Sequence, residues 1–146
     1  MEFKEVKTPE EFIKILPVIK QDWGDNDFGG DQQVVDNFVQ AVKHNYRQFA
    51  AYDGDKVIAV TGMSTVFMPV SETPRYDLIA FVVDEAYRDK GIGSSLIDYC
   101  KKIVQEEGAR YLGTGAYTEN YKAQAFYQKN GFKHTANFMF HDLENK

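Results

Sequence analysis

The feature that most constrains this chain is a strand, a glycine-bearing turn and a helix in immediate succession. The apolar run from Leu78 to Val83 has the length and composition of a buried strand, and apolar residues from Leu96 to Val104 recur at helical spacing. Between the two runs lies the segment Arg88-Asp89-Lys90-Gly91-Ile92-Gly93-Ser94. Such a turn presents the backbone N–H groups of the first helical turn, which together form an anion site. We therefore expect a phosphate-bearing ligand here, although the same glycines also suit an ordinary strand-to-helix turn.

The glycine spacing excludes two common phosphate-binding motifs. Leu96 occupies the place of the third glycine of the dinucleotide fingerprint, and the Gly-Lys-Ser/Thr ending of a P-loop is absent. What remains is the pattern Arg-x-x-Gly-x-Gly. The ligand is therefore expected to be neither a dinucleotide nor a nucleoside triphosphate.

Length and cysteine content set the broad class. The 146 residues predict a single domain, 1–146, with a core large enough to fold without disulfide bridges. A single cysteine, Cys100, and the lack of Cys/His pairs at zinc spacing argue against a disulfide framework and a structural zinc site. The N-terminal segment does not resemble a signal peptide, and no apolar run has the length of a membrane span. We expect a cytoplasmic protein without a membrane partner.

The charge is unevenly distributed. The formal net charge of −5 argues against nucleic acid as the main partner, because such binding depends on basic residues that neutralise phosphates. Residues 1–74 contain 7 basic and 12 acidic side chains, a net of −5, whereas residues 75–133 contain 9 and 8, a net of +1. A phosphate-bearing cofactor would meet the near-neutral part, and a cationic acceptor suits the acidic part.

The order of elements predicts a mixed sheet covered by helices on both faces. Strands are expected at Glu2–Lys7, Gln48–Tyr52, Val57–Phe67, Tyr76–Asp84 and Arg110–Ala116, with a final pair within Phe132–Leu143. Helices are expected from Pro9 onwards with a kink or early end at Pro17, from Gln32 to His44, from the glycine turn to near Gly108, and from Tyr121 to Lys129.

A second motif follows the glycine turn after one helix and one strand. It runs Asn120-Tyr121-Lys122-Ala123-Gln124-Ala125-Phe126-Tyr127-Gln128-Lys129-Asn130-Gly131-Phe132. With the glycine turn, it closely resembles the two signature segments of the GNAT superfamily of N-acetyltransferases, in the same order. The resemblance implies an α/β (α+β) fold with a mixed, mostly antiparallel central sheet of six to seven strands. It also implies helices on both faces and a splayed cofactor cleft.

The resemblance implies how acetyl-CoA, used as a co-substrate without a metal, would be held. Backbone N–H groups of Asp89, Lys90, Gly91, Ile92, Gly93 and Ser94, with charge from Arg88 and Lys90, would bind the pyrophosphate. The backbone of Phe81, Val82 and Val83 would pair with the pantetheine arm, and the N–H group of Val83 would stabilise the thioester oxyanion. Asn120 can cap its helix and contact the cofactor. Asp89 stands where the family often has glycine, so its side chain is expected to face away from the phosphates.

The resemblance also suggests the proton-transfer groups. Tyr127 would protonate the leaving CoA thiolate or donate a hydrogen bond to it, although an aromatic packing role is the alternative. A general base must accept a proton from the ammonium group of the acceptor. Asp77 is the first candidate, because a two-residue period would place it on the face of Ile79, Phe81 and Val83. The rivals are Glu72, Asp22 and Glu119, and each also suits a solvated or capping role.

The loop between the first two helices carries several acidic residues. The segment 25–36 superficially resembles a calcium loop, but Gly29 and Asp36 stand where an oxygen ligand and a bidentate glutamate are needed, so we expect no metal. In the GNAT interpretation this loop walls the acceptor site, where Trp23 and Phe28 either contact substrate or anchor the loop. Cys100 lies on the apolar stripe of its helix and is expected to be inert.

Together, these features predict an acetyl-CoA-dependent N-acetyltransferase acting by direct attack of a primary amine within a ternary complex, since no activated nucleophile is visible. The acceptor is expected to be a small molecule rather than a protein. Polyamines, aminoglycoside-like amines, amino acids and protein amines all stay open, as does a homodimer. Residues 69–81 weakly resemble aminoglycoside 3-N-acetyltransferases. The alternatives are a non-catalytic CoA-binding or regulatory module on the same fold and a calcium-binding interaction protein.

Overall fold

A computed structural model describes residues 1–23, 29–67, 69–70, 73–137 and 139–144, without the side chain of Trp23. The chain divides into two compact units, Met1–Gly115 and Ala116–Lys146. Each unit is described below by itself.

The first unit is built on a five-stranded sheet. The strands are β1 (Glu2–Val6), β2 (Tyr46–Asp53), β3 (Lys56–Val66), β4 (Arg75–Val83) and β5 (Leu112–Thr114), and they lie side by side in chain order. The first four strands are antiparallel neighbours, whereas β4 and β5 are parallel. The two-residue turn Gly54-Asp55 closes the predicted hairpin between β2 and β3. The predicted mixed, mostly antiparallel sheet is confirmed.

Helices α1 (Pro9–Trp23), α2 (Asp31–Val42) and α3 (Ile92–Glu106) belong to the first unit, and α4 (Tyr121–Lys129) belongs to the second. A reciprocal pair of hydrogen bonds begins α1. The Glu11 N–H group donates to Thr8 Oγ1 at 3.2 Å, and the Thr8 N–H group donates to Glu11 Oε1 at 3.2 Å. This capping box satisfies donors that have no partner inside the helix.

The proline in α1 does not end the helix, which continues to Trp23, so the expected early end is wrong. Pro17 removes the hydrogen bond that Ile13 would accept, and both residues lie on the exposed face of α1. Water can therefore satisfy the Ile13 carbonyl. The opposite face, which carries Ile15, Leu16, Val18 and Ile19, is buried and holds the helix together.

The sheet carries apolar residues on both faces. Val6, Ala50 and Val60 pack with residues of α1 and α2 in one cluster. Phe3 and Phe49 point to the other face, where both rings contact Tyr99 of α3. Helices thus cover both sides of the sheet within the first unit, as the sequence predicts.

The final strand pair expected within 132–143 is not confirmed. The described residues of this segment form no strand, so the sheet has five strands where six to seven were expected. Met139, Phe140 and Leu143 are each more than 80% exposed. A strand needs a partner for its backbone, and the described residues of the second unit contain one helix and no strand.

Candidate functional site

An irregularity interrupts β4 halfway along its length. Val60 of β3 lies opposite Val82, but Gly62 lies opposite Ile79, so two residues of β4 face one residue of β3. Ala80 adopts a positive φ of 50° at this point. The hydroxyl group of the fully buried Thr61 lies 3.0 Å from the Gly62 carbonyl oxygen and 3.2 Å from the Ile79 carbonyl oxygen, so it can donate to either strand at the bulge. Bulges redirect side chains and end regular pairing, and they occur often beside active sites.

The bulge reverses which residues share a face of β4. Asp77, Ile79 and Val82 lie on the same face of the sheet. Their partners in β3 are Ser64, Gly62 and Val60, which follow one another at intervals of two residues. Phe81 and Val83 point to the opposite face. The prediction that Asp77 shares a face with Phe81 and Val83 is therefore wrong, since it assumed an uninterrupted two-residue period.

The second half of β4 extends beyond its neighbour. Pairing with β5 covers Tyr76 to Leu78, while β4 continues to Val83. The Asp84 N–H group donates to the Ile58 carbonyl of β3 at 2.9 Å. Because N–H groups alternate in direction along a strand, the N–H group of Val83 points away from β3. The Val83 carbonyl points the same way and accepts a hydrogen bond from Arg88 Nε at 3.1 Å.

The glycine turn leads directly into α3. Gly91 immediately precedes the helix in a left-handed conformation, φ 80° and ψ 4°, and as a glycine it has no side chain to cap the first helical N–H groups. A methyl group added at Gly91 would meet no atom within 4 Å, so the turn is open above its backbone. Uncapped N–H groups beside open space, at the positive end of the helix dipole, are the arrangement that binds phosphate.

The charged residues of the turn have local contacts. Lys90 Nζ donates to the Ala86 carbonyl at 3.3 Å and lies 5.4 Å from the centre of the Tyr87 ring. Asp89 is exposed and has a φ of 61°. This left-handed conformation explains why glycine suits the position, and aspartate is one of the few other residues that tolerate it.

The second unit holds the other signature residues. Asn120 caps α4 by accepting a hydrogen bond from the Ala123 N–H group at 3.1 Å. Gly131, with a φ of 91°, follows the end of the helix, as predicted. The Tyr127 ring is half-buried and packs edge-on against Phe132, with 5.7 Å between ring centres. The tyrosine thus has aromatic contacts, and its role in proton transfer stays a prediction.

The candidates for the general base differ in their surroundings. Asp77 Oδ2 accepts a hydrogen bond from Arg75 Nε at 3.1 Å, and the two side chains form a partly exposed ion pair. Asp22 and Glu119 are exposed. Glu72 lies outside the described residues, as do Phe28 and most of the loop expected to wall the acceptor site. The assignment of Asp77 therefore stays a prediction with a competing ion pair.

Two further expectations concern Cys100 and metals. Cys100 is fully buried, and burial raises the pKa of its thiol to about 12, which keeps it protonated and inert. Within the described part of the chain, no group of three or more His, Cys, Asp or Glu side chains is placed to hold a metal ion. In the same part, no helix is long and apolar enough to cross a membrane.

Comparison with known proteins shows the family of the chain. A sequence model of the Acetyltransferase (GNAT) family matches residues 13–132. The chain belongs to the GNAT family. No curated protein sequence matches it significantly.

Several solved structures share the fold at low sequence identity. An aminoglycoside acetyltransferase from an uncultured soil metagenomic sample, solved in complex with sisomicin, superposes with a TM-score of 0.83 and 16% identity. That match covers 97% of this chain and 95% of the other. A predicted acetyltransferase from Clostridium acetobutylicum with acetyl-CoA superposes with a TM-score of 0.79 and 13% identity, and the match covers 99% of this chain and 97% of the other. A transcriptional regulator from Bacillus halodurans C-125 superposes with a TM-score of 0.78 and 18% identity, and the match covers 97% of this chain and 99% of the other. These likenesses show the fold.

The sequence did not reveal the bulge or the role of Thr61. A buried threonine within an apolar strand is a weak signal, because threonine is common in strands. The apolar run of β4 is nearly continuous, and both faces of the strand carry apolar residues. The sequence pattern therefore gives no sign that the side chains change faces at the bulge.

Proposed function

We propose that this GNAT protein is an acetyl-CoA-dependent N-acetyltransferase that acts on a primary amine. The observation that carries the proposal is the shape of β4 and the turn after it. The strand extends past β5, the Val83 N–H group points towards that open side, and the chain then enters an uncapped helix N-terminus. An extended thioester could pair with the strand while its phosphates bind the turn.

The proposed reaction is a direct attack of the amine on the thioester carbonyl. The new C–N bond forms as negative charge develops on the carbonyl oxygen, and the N–H group of Val83 donates to that oxygen. The C–S bond then breaks, the nitrogen of the new amide loses its extra proton to water, and Tyr127 donates a proton or a hydrogen bond to the CoA thiolate. A primary ammonium has a pKa near 10.4, so forming the free amine at pH 7 costs about 4.6 kcal/mol.

The base that removes this proton is the least determined part of the proposal. Asp77 is retained as the first candidate, acting directly or through water. Its ion pair with Arg75 requires that the guanidinium move away or that water relay the proton. The substitution Asp77→Asn tests this role, and a loss of activity that recovers at high pH is the expected signature of a missing base.

For the acceptor we propose an aminoglycoside-like polycation. Residues 1–74 carry the acidic excess, which favours a cationic substrate. Neighbours of similar fold include aminoglycoside acetyltransferases, one of them in complex with sisomicin. A panel of aminoglycosides, polyamines, amino acids and lysine peptides would rank these classes by kcat/KM.

The test is amine-dependent release of CoA thiol from acetyl-CoA, with the acetylated product identified by mass spectrometry. We expect kcat to fall about 100-fold in Tyr127→Phe, the range expected for loss of an acid catalyst. Tyr111→Phe is the matched control, because Tyr111 is exposed in the first unit and has no proposed role. If no amine in the panel stimulates thiol release, the proposal is wrong.

A second function is supported by one specific observation. One structure of similar fold is described as a transcriptional regulator. A non-catalytic CoA-binding module would keep the glycine turn but need neither Tyr127 nor a base. CoA binding by calorimetry without turnover of any amine would favour this alternative.

A further inference from the structure

The last turn of α1 is joined to the end of β4 by one side-chain amide. Gln21 Oε1 accepts a hydrogen bond from the Glu85 N–H group at 2.9 Å, and Gln21 Nε2 donates to Asp84 Oδ2 at 3.2 Å. The backbone N–H group can only donate, so the amide oxygen must face it and the amide nitrogen must face the carboxylate. Gln21 is therefore held in one orientation by two partners.

Asp84 is the centre of this arrangement. Only 8% of its surface is exposed, and its Oδ1 accepts from the Ala86 N–H group at 2.9 Å. Its own N–H group donates to Ile58 of β3. A carboxylate this buried is costly unless it is hydrogen-bonded, and Gln21 and the Ala86 N–H group donate the hydrogen bonds that the structure describes for it. Asp84 is thus fixed from three directions: by β3, by the turn after β4 and by α1.

The residue fixed in this way adjoins the proposed oxyanion donor. Val83 and Asp84 share a peptide plane that contains the Val83 carbonyl and the Asp84 N–H group. The Val83 N–H group lies in the preceding plane, which is joined to this one at the Val83 Cα atom, so a displacement of Asp84 reaches it through that atom. We propose that Gln21 is a positioning residue, which sets the direction of the Val83 N–H group through Asp84. This inference rests on the proposed acetyl transfer. The phosphate-binding turn begins only at Arg88, so Gln21 is expected to govern kcat more than cofactor affinity.

The first variant is Gln21→Met, which keeps the length of the side chain and removes both hydrogen bonds. A misplacement of about 1 Å in a reacting group costs on the order of 100-fold in rate. We expect kcat to fall about 10- to 100-fold, with less than about a threefold change in the Kd for CoA. Gln33→Met is the matched control, because the Gln33 amide donates a hydrogen bond to Asn37 on the exposed surface of α2.

An exchange of donor and acceptor separates positioning from general stability. Gln21→Glu keeps the acceptor for the Glu85 N–H group but sets one carboxylate against another. Asp84→Asn keeps the acceptor for the Ala86 N–H group but sets one amide nitrogen against another. Together the two changes restore all three hydrogen bonds, with the negative charge moved from residue 84 to residue 21. We expect both single variants to lose kcat and the double variant to recover most of it.

Turnover, CoA binding by calorimetry and thermal unfolding are measured on each variant. Lower kcat with near-constant Kd in the single variants, and recovery in the double variant, support the inference. Unchanged kcat in Gln21→Met, or a double variant no better than the singles, overturns it. If the unaltered protein turns over no amine, the proposed function fails and this inference fails with it. An active protein with an equally active Gln21→Met variant refutes the inference alone.

Discussion

Substitution of Gly91 by alanine tests the phosphate-binding role of the glycine turn most directly. Gly91 adopts a φ of 80°, and an added methyl group would meet no protein atom within 4 Å. The substitution therefore creates no clash within the protein, and its effects come from backbone strain and from the methyl group in the open space. If that space receives the pyrophosphate, the methyl group keeps the phosphate away from the helical N–H groups.

The two effects have different sizes. A left-handed conformation costs an L-amino acid about 1–2 kcal/mol, which lowers the free energy of unfolding by that amount. Loss of one hydrogen bond to a charged phosphate costs about 1.5–3 kcal/mol, or about 10- to 150-fold in the Kd for CoA. Loss of two bonds multiplies the effect.

Gly108→Ala provides the matched control. Gly108 follows the other end of α3, has a φ of 86°, and likewise has open space around an added methyl group. Thermal unfolding should show similar destabilisation in both variants, and calorimetry should show weaker CoA binding only in Gly91→Ala. Equal CoA affinity in the two variants would refute the reasoning that the open space above Gly91 is the phosphate site.

Three further outcomes are expected. Asp89→Gly should stabilise the protein by roughly 1 kcal/mol, because glycine adopts the φ of 61° without strain. It should also tighten CoA binding, because it removes a negative charge from the proposed phosphate site, and calorimetry should show that this gain in affinity shrinks at high salt. An unchanged Kd for CoA at low salt would contradict the second expectation. Thr8→Ala should cost about 1 kcal/mol in thermal unfolding at pH 7. The hydrogen bond from the Thr8 hydroxyl group lowers the pKa of Glu11 from its ordinary 4.5. The stability that Glu11 contributes is therefore present above pH 4.5 and is lost as the pH falls through the lowered pKa. A Glu11→Gln variant as stable as the unaltered protein at pH 7 would refute this. Cys100 should resist thiol reagents at pH 8 in the folded protein and react after denaturation, since burial raises its pKa to about 12; rapid labelling of the native protein would be inconsistent with that burial.

Patterns within single elements were enough to predict most of the fold. Hydrophobic periodicity located the strands and helices of the first unit to within a few residues, and Asn120 and Gly131 delimited α4 correctly. The family assignment followed from two local motifs. All these signals lie within a few neighbouring residues, which is the range over which sequence periodicity and capping act.

Features that depend on pairing between distant residues were not predictable in this way. The bulge in β4 lies opposite Thr61, whose hydroxyl group contacts the Ile79 carbonyl 18 residues further along the chain, and Gln21 contacts Asp84 across 63 residues. Pro17 was expected to kink its helix or end it early because the cost of a proline is local, whereas the buried face of α1, which outweighs that cost and carries the helix on to Trp23, depends on tertiary packing. The sixth and seventh strands, which the described residues do not show, belong to the same class, since strands are defined by their partners.

The unequal lengths of β4 and β5 also have a consequence for how the protein behaves in storage. Pairing of β4 with β5 ends at Leu78, so the strand presents an edge beside Ile79, whose side chain is 41% exposed. Edges of this kind recruit strands from other chains and begin aggregation. The bulge at Ala80 works against this, because an irregular backbone cannot continue a ladder of hydrogen bonds. CoA bound along the edge would protect it further, so ligand-free preparations should aggregate sooner on concentration than those kept with CoA.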